Sequence, residues 1–211
     1  DALVTLTTNP KTFIVHVEVG PIDTHIKAMD PSEFPPAAQF NGDTARIGMD
    51  VLHETVSEIS KRITPFASPD DARPILTGVG VFADFPKFSG ETAPITFASA
   101  DGFRLAHLKR EATLHFDNPS LERLAVVVPA KLFGEILKLA RDESRPVQFL
   151  FHLRFKKKTL EGGMVQVETG NAGLRMNLLD GEFPDYTKID NEPPKLPRIP
   201  LIGRPAFDFL A

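Results

Sequence analysis

The sequence predicts an α+β fold ordered as strands, helix, strands, helix, strands, and three observations carry that prediction. Most of the chain is short β-rich runs broken by Gly, Pro and Asp-Gly punctuation. Only two stretches place apolar residues at helical spacing, Val51–Thr64 and Ala130–Arg141. Finally, VEVGPIDTHIKAMDPSEFP at 17–35 is echoed by VETGNAGLRMNLLDGEFP at 167–184, each reading strand, glycine turn, strand, Glu-Phe-Pro. Such an echo is what a chain built from repeated domains displays.

Leu3–Thr7, Thr12–Val19 and Thr24–Met29 read as strands. Phe13, Val15, Val17 and Val19 alternate with Ile14, His16 and Glu18, so apolar residues fall on both faces and the direction of burial stays open. Gly20-Pro21 turns the chain, and 30–36 closes the segment. A strand Thr44–Gly48 leads to Asp50, the expected N-cap of a helix from Val51 to about Thr64. Leu52, Val56, Ile59 and Ile63 form its stripe, and Pro65 is the expected stop.

Strand signals resume at Pro74–Phe82, followed by a Phe/Pro/Gly-rich connection, Ala83–Pro94. Ile95–Leu108 reads as a hairpin corner: Asp101-Gly102 signals a tight turn, after which Phe103, Leu105 and Leu108 alternate with Arg104 and His107. Glu111–Phe116 and Glu122–Val128 read as the next strand pair. Pro129 suits the first turn of the second helix, whose buried stripe is Phe133, Ile136, Leu137 and Ala140. Pro146–Phe155, Met164–Thr169 and Leu174–Leu179 are strands again, with a hairpin tip at Lys156–Lys158 and Glu161–Gly163. In Gly181–Tyr186, Phe183 can bury, Pro184 ends the strand and Tyr186 keeps its hydroxyl at a half-buried edge. Beyond Asp190, Pro193, Pro194, Pro197 and Pro200 mark an extended linker.

Composition bounds the function. At 211 residues and 42% hydrophobic the chain can bury a sizeable core. It has no apolar run near the roughly 20 residues of a membrane span and no signal-peptide start, so a soluble protein is expected. Without Cys there is no disulfide framework or thiolate metal site, which fits a reducing cytoplasm. A net charge of -4 argues against a uniformly basic nucleic-acid binder, so any DNA contact needs a locally basic face. Opening on Asp1 rather than Met, the chain is expected to be a fragment, with a naturally short homologue as the alternative.

Little in the residues points to catalysis. Asp101, Asp180 and Asp185 each sit beside Gly or Pro and read as turn residues rather than an acid/base pair. The histidines at 16, 25, 53, 107, 115 and 152 contain no i, i+4 helical pair, so no metal site is expected, although strands can bring some together. Gly78-Val79-Gly80 and Gly162-Gly163 lack the context of a phosphate loop, and Ser99 lacks a nucleophile elbow, so no cofactor is expected. Lys61 and Arg62 lie off the first apolar stripe, while Lys131, Lys138 and Arg141 share one side of the second helix. By themselves these cations read as an ordinary solvated face, diluted by Glu54, Glu58 and Glu135.

RPILTGV at 73–79, ADGFRLA at 100–106, VVPAK at 127–131 and GEFPDY at 181–186, in that order and spacing, resemble the middle domain of the bacterial replication sliding clamps, the beta subunits of the replicative DNA polymerase. The resemblance implies two helices packed on curved antiparallel sheets. It assigns residues 1–43 to the C-terminal part of a first clamp domain, 44–190 to the middle domain, and 191–211 to a linker and the start of a third domain. It implies a cytoplasmic, non-enzymatic processivity factor that encircles duplex DNA as a homodimeric ring. Short peptides of the polymerase and clamp loader would dock on it, with no cofactor and no membrane.

By the same resemblance the partner-peptide pocket takes Leu76, Ala100, Gly102, Phe103, Arg104, Leu105, Pro184 and Ile189, and the DNA-facing residues are Lys61, Arg62, Lys131, Lys138 and Arg141. Ala100 stands where the family often has Thr, Phe103 where it often has His or Tyr, and Ala130 where it is often basic. The tail Ala206-Phe207-Asp208-Phe209-Leu210 resembles the docking peptides themselves, with Arg204 or Pro205 in place of their leading Gln; the favoured reading is the first helix of a third domain. Two other readings of the residues stay open: an enzyme on a small or carbohydrate substrate using Asp101 and a second carboxylate, and a stand-alone β-rich interaction domain.

Overall fold

The computed structural model describes residues 3–34, 44–117, 122–140, 144–156, 159–170 and 172–187. The chain divides into two compact units, residues 1–40 and 41–211. The first is an antiparallel meander of β1 (Val4–Asn9), β2 (Ile14–Val19) and β3 (Ile22–Lys27). Its register aligns Leu6, Val17 and Thr24, and beside them Thr7, His16 and His25. Because directly paired residues share a face, one face collects Val4, Leu6, Val15, Val17, Val19, Ile22 and Ile26, and the other Thr5, Thr7, His16, Glu18, Asp23 and His25. Strand pairing thus sorts the apolar residues onto one face, Ile14 excepted, while Leu6, Ile22 and Ile26 of that face stay more than half exposed.

In the second unit β4 (Thr44–Val51) leads into α1 (His53–Glu58), which widens into a π-helical segment, Ile59–Ile63, and tightens into a 3-10 turn, Thr64–Phe66. Asp50 is not the N-cap. It lies within β4, because the ladder to β9 runs on to Val51 opposite Val147 and carries the strand past the expected start. The cap falls on Leu52, which is 63% exposed and so does not join the buried stripe expected of it, because the cap position lies before the first helical turn. Nor does Pro65 stop the chain at Thr64, since it occupies an opening position of the 3-10 turn, where no N–H is needed.

Pro74–Thr77 is likewise a 3-10 turn rather than strand, and β5 covers Gly78–Asp84. Next come β6 (Thr92–Ala100) and a single long β7 (Leu105–Phe116), so Glu111–Phe116 is not a separate strand. The partner of β8 (Arg123–Pro129) is β5, not β7. Pro129 closes β8 instead of opening a helix; β8 ends the strand order, and an edge strand tolerates the missing N–H. The second helix, α2 (Lys131–Leu139), is followed by β9 (Val147–Lys156), β10 (Thr159–Thr169) and β11 (Ala172–Asn177).

These eight strands form one antiparallel sheet, ordered β11-β10-β9-β4-β7-β6-β5-β8. Two four-stranded halves meet where Ile47–Asp50 of β4 pair with Phe116–Thr113 of β7. The far edges approach one another, and Leu179 N–H donates to the Val127 carbonyl at 2.9 Å, so the curved sheet nearly closes. Val56, Ile59 and Ile63 join Leu132, Phe133 and Ile136 in one core with Val79, Val81, Ile95, Phe97, Leu114, Phe149 and Phe151. Both helices therefore lie against the same face of the sheet, with Phe133 set edge-on to Phe97 at 6.5 Å. Leu132 is fully buried, while the expected stripe residue Leu137 is half-buried.

The internal echo is a structural one. The β2–β3 and β10–β11 hairpins both turn in two residues, Val19 pairing with Ile22 and Thr169 with Ala172, with Gly20 and Gly170 at φ 60° and 57°.

Candidate functional site

The corner between β6 and β7 is a four-residue loop closed by one carboxylate, rather than a two-residue Asp-Gly turn. Asp101 Oδ1 accepts from the Phe103 and Arg104 N–H groups at 2.9 and 2.8 Å. Its Oδ2 accepts from Arg104 Nε at 2.8 Å and Nη2 at 2.7 Å. The two backbone donors, then the Arg104 side chain, hold the Asp101 carboxyl down at about 2. Arg104 also lies over the Phe66 ring at 5.2 Å. Arg73 Nη2 donates to the Asp101 carbonyl at 3.3 Å, and Gly102 takes φ 96° under Arg73. Phe103, at the tip, is 96% exposed.

Two further runs meet this corner. Leu76 is buried in the 3-10 turn, its carbonyl accepting from Ser68 N–H at 2.8 Å. Its neighbour Ile75 stands 3.6 Å from where a Cβ of Gly181 would be, so the 73–77 turn touches both the 101–104 loop and the 181–186 run. That run crosses the sheet face opposite the helices. Gly78 and Gly80 have no side chain there, and Leu179 and Phe183 occupy the space; a Cβ on Gly80 would stand 3.1 Å from Phe183. Tyr186 sits between Phe82 and His107, with ring centroids 5.5 and 6.0 Å away. Ala100 and Leu105 pair at the end of the hairpin and are half-buried, and Pro184 is exposed. Ile189 lies outside the described residues.

A cleft of about 640 Å³ opens on the other side of the 181–186 run, among Phe82, Arg123, Phe155, Leu160, Asp180 and Tyr186. Among the described residues expected in the pocket only Pro184 borders it; Leu76, Ala100 and Gly102–Leu105 do not. Arg73, Phe66 and His107 take part in the corner although no motif singled them out as site residues. Arg73 opens the RPILTGV run, which was the available signal.

The expected DNA-facing cations lie on helices that share one core. Lys61 and Arg62 are exposed at the end of the π-helical segment, and Lys131 and Lys138 are exposed on α2. Arg62 pairs with Glu58 at 3.7 Å and Lys138 with Glu135 at 2.8 Å. Lys61 and Lys131 have no ion pair among the described residues, and Arg141 lies outside them. Glu58 is also held by Arg110 of β7, through Nε at 2.8 Å and Nη2 at 2.7 Å, a cross-link between α1 and the sheet that helix periodicity does not reveal.

Strands do bring two of the histidines together. Cross-strand pairing in the first unit places His16 beside His25, ring centroids 4.1 Å apart, with Asp23 in reach of both. The i, i+4 test searches helices and is blind to this geometry.

A family model described as DNA polymerase III beta subunit, central domain, matches residues 50–185. The chain belongs to that family. The beta sliding clamp of Staphylococcus aureus strain Mu50 is 26% identical over 188 residues, covering 88% of this chain and 43% of the relative; that of Staphylococcus epidermidis is 24% identical. The chain thus spans under half the length of the curated relatives it matches. Among solved structures, the DNA polymerase III subunit beta of Pseudomonas aeruginosa aligns with a TM-score of 0.66 at 21% identity, covering 94% of this chain and 46% of that one. The DNA polymerase sliding clamp of Bacillus subtilis aligns at 0.62 and 22% identity, covering 88% and 43%. The beta-subunit match takes in both helices, the Asp101–Leu105 corner and Pro184, and ends before Ile189.

Proposed function

We propose that this chain is the middle portion of a replication sliding clamp, with residues 1–43 ending a first clamp domain, 44–190 forming the second, and 191–211 leading toward a third. The observation that carries the reading is the beta-subunit central-domain match laid over two helices that share one sheet face and expose Lys61, Arg62, Lys131 and Lys138. Such helices offer cations to phosphates without reading bases, which lets a protein of net charge -4 follow duplex DNA. The assembled protein is a cytoplasmic, homodimeric ring that makes and breaks no bonds. It tethers polymerase and clamp-loader subunits by short peptides.

The peptide pocket lies where the three runs adjoin, with Leu76, Leu105, Pro184 and Ile189 as its apolar part and Gly102 allowing close backbone approach. Arg104 spends Nε and Nη2 on Asp101 and its side chain is 60% exposed, which leaves Nη1 to donate to a partner. Both Asp101 carboxylate oxygens are engaged in closing the loop, and a carboxyl held near 2 supplies no proton as a general acid at neutral pH, which supports the turn role over the acid role.

Two measurements test the reading. Duplex binding is expected to be weak, sequence-independent and steeply weakened by salt, and to vanish on joint Lys131→Glu, Lys138→Glu and Arg141→Glu substitution. Binding that survives high salt, or a base preference, overturns the DNA assignment. In a protein that also carries the adjoining domain, Leu105→Asp should cost a labelled polymerase-tail peptide at least about 2 kcal/mol, by setting a charge on an apolar floor. Unchanged affinity with an intact fold refutes the pocket.

A further inference from the structure

The polar face of the first unit carries chemistry that DNA or peptide binding does not use. His16 on β2 and His25 on β3 are direct cross-strand partners, and Asp23 precedes His25 by two residues and so shares its face. One ring nitrogen of each histidine and one carboxylate oxygen of Asp23 lie within 4.8 Å of one another. Glu18 is paired directly with Asp23 on the same face. Two carboxylates set opposite each other repel, and a dication placed between them and the imidazoles removes that repulsion.

We propose that His16, Asp23 and His25 form a divalent transition-metal site of two imidazoles and one carboxylate that takes Zn²⁺, cross-linking β2 to β3. The donor set suits it: imidazole and carboxylate bind Zn²⁺ at about 2.0–2.2 Å, and three protein ligands leave a fourth position for water. Tetrahedral ligands at that bond length stand about 3.4 Å apart. The donors therefore close by side-chain rotation, and Asp23 and His25 are exposed and His16 half-buried, so no packed core resists it. The hairpin holds the ligands on neighbouring strands of fixed register, so little chain ordering remains to oppose binding.

The test uses the whole 211-residue chain and zinc chloride alone, in a non-chelating buffer near neutral pH. Calorimetry is expected to find one equivalent of saturable Zn²⁺. The ring resonances of His16 and His25 should shift together in NMR spectra as that equivalent is added, a readout that needs no variant. His16→Asn with His25→Asn should lose the equivalent, or weaken it at least about tenfold, with an unchanged circular dichroism spectrum. His115→Asn should keep it, which separates this site from the 3.2 Å His115–Asp50 pair. No saturable binding up to millimolar zinc overturns the proposal. So does binding that persists in the His16/His25 double variant, or binding lost in His115→Asn.

Discussion

At the scale of single residues, the Asp101 loop concentrates the most determinate chemistry. Its carboxyl is lowered from 3.8 to about 2, so the loop-closing interaction is fully present above about pH 4 and is lost as pH falls through about 2. Carbon-detected NMR titration of the Asp101 carboxyl should give a midpoint near 2, rising when Arg104→Ala removes the side-chain donor; a midpoint near 4 in the unaltered chain would contradict the hydrogen-bond geometry. The neighbouring Gly102 holds φ 96°, where an L side chain is strained whatever the space. Gly102→Ala is expected to lower stability by about 1–2 kcal/mol, read as a shift in the urea midpoint at unchanged slope. Asp101-Gly102 was legible as a turn from the dipeptide alone. Its length was not, because the closing bonds come from Arg104 and the buttress from Arg73, residues whose roles depend on where the loop lands.

Between the elements, the link of α1 to β7 is the contact whose strength decides how the helix sits. Glu58 accepts from Arg110 at two points while also lying 3.7 Å from Arg62, and its side chain is 19% exposed against 39% for Arg110. A double-mutant cycle of Glu58→Ala and Arg110→Ala should give a coupling of about 1 kcal/mol, reduced by salt because Arg110 is partly solvated. A coupling of zero would mean that the pair only accompanies the packing. In α2, Ile136 is completely buried between both helices and the sheet, so Ile136→Ala should cost about 2–5 kcal/mol through lost burial and the cavity left behind. Thermal or denaturant unfolding measures it directly. Helical periodicity identified both helices, but the start of α1 was set by ladder pairing of β4, and the helical run continued past Thr64 because a 3-10 turn tolerates Pro65.

Across the whole molecule, the two units differ in what covers their apolar residues. The second unit buries Phe97, Phe133, Phe149 and Phe151 almost completely, whereas in the first Leu6, Ile22 and Ile26 are more than half exposed. Local opening is cheap where few apolar contacts oppose it, and a three-stranded meander without a covered face is marginal. Amides of β1–β3 should therefore exchange with solvent far faster than those of β4, β5, β7 and β9 in this chain. Equal protection in hydrogen-exchange mass spectrometry would show that the two units open together.

The sequence by itself determined the α+β class, two helices with their apolar stripes, the hairpin corner and the family, because periodicity, turn dipeptides and ordered motifs are local properties of the chain. The tertiary structure alone decided that eight strands form one nearly closed sheet. It also decided that β8 pairs with β5 and that the cleft opens on the far side of the 181–186 run. Each of these depends on which strand lies beside which. Strand pairing is a contact between distant segments, and no local spacing encodes it.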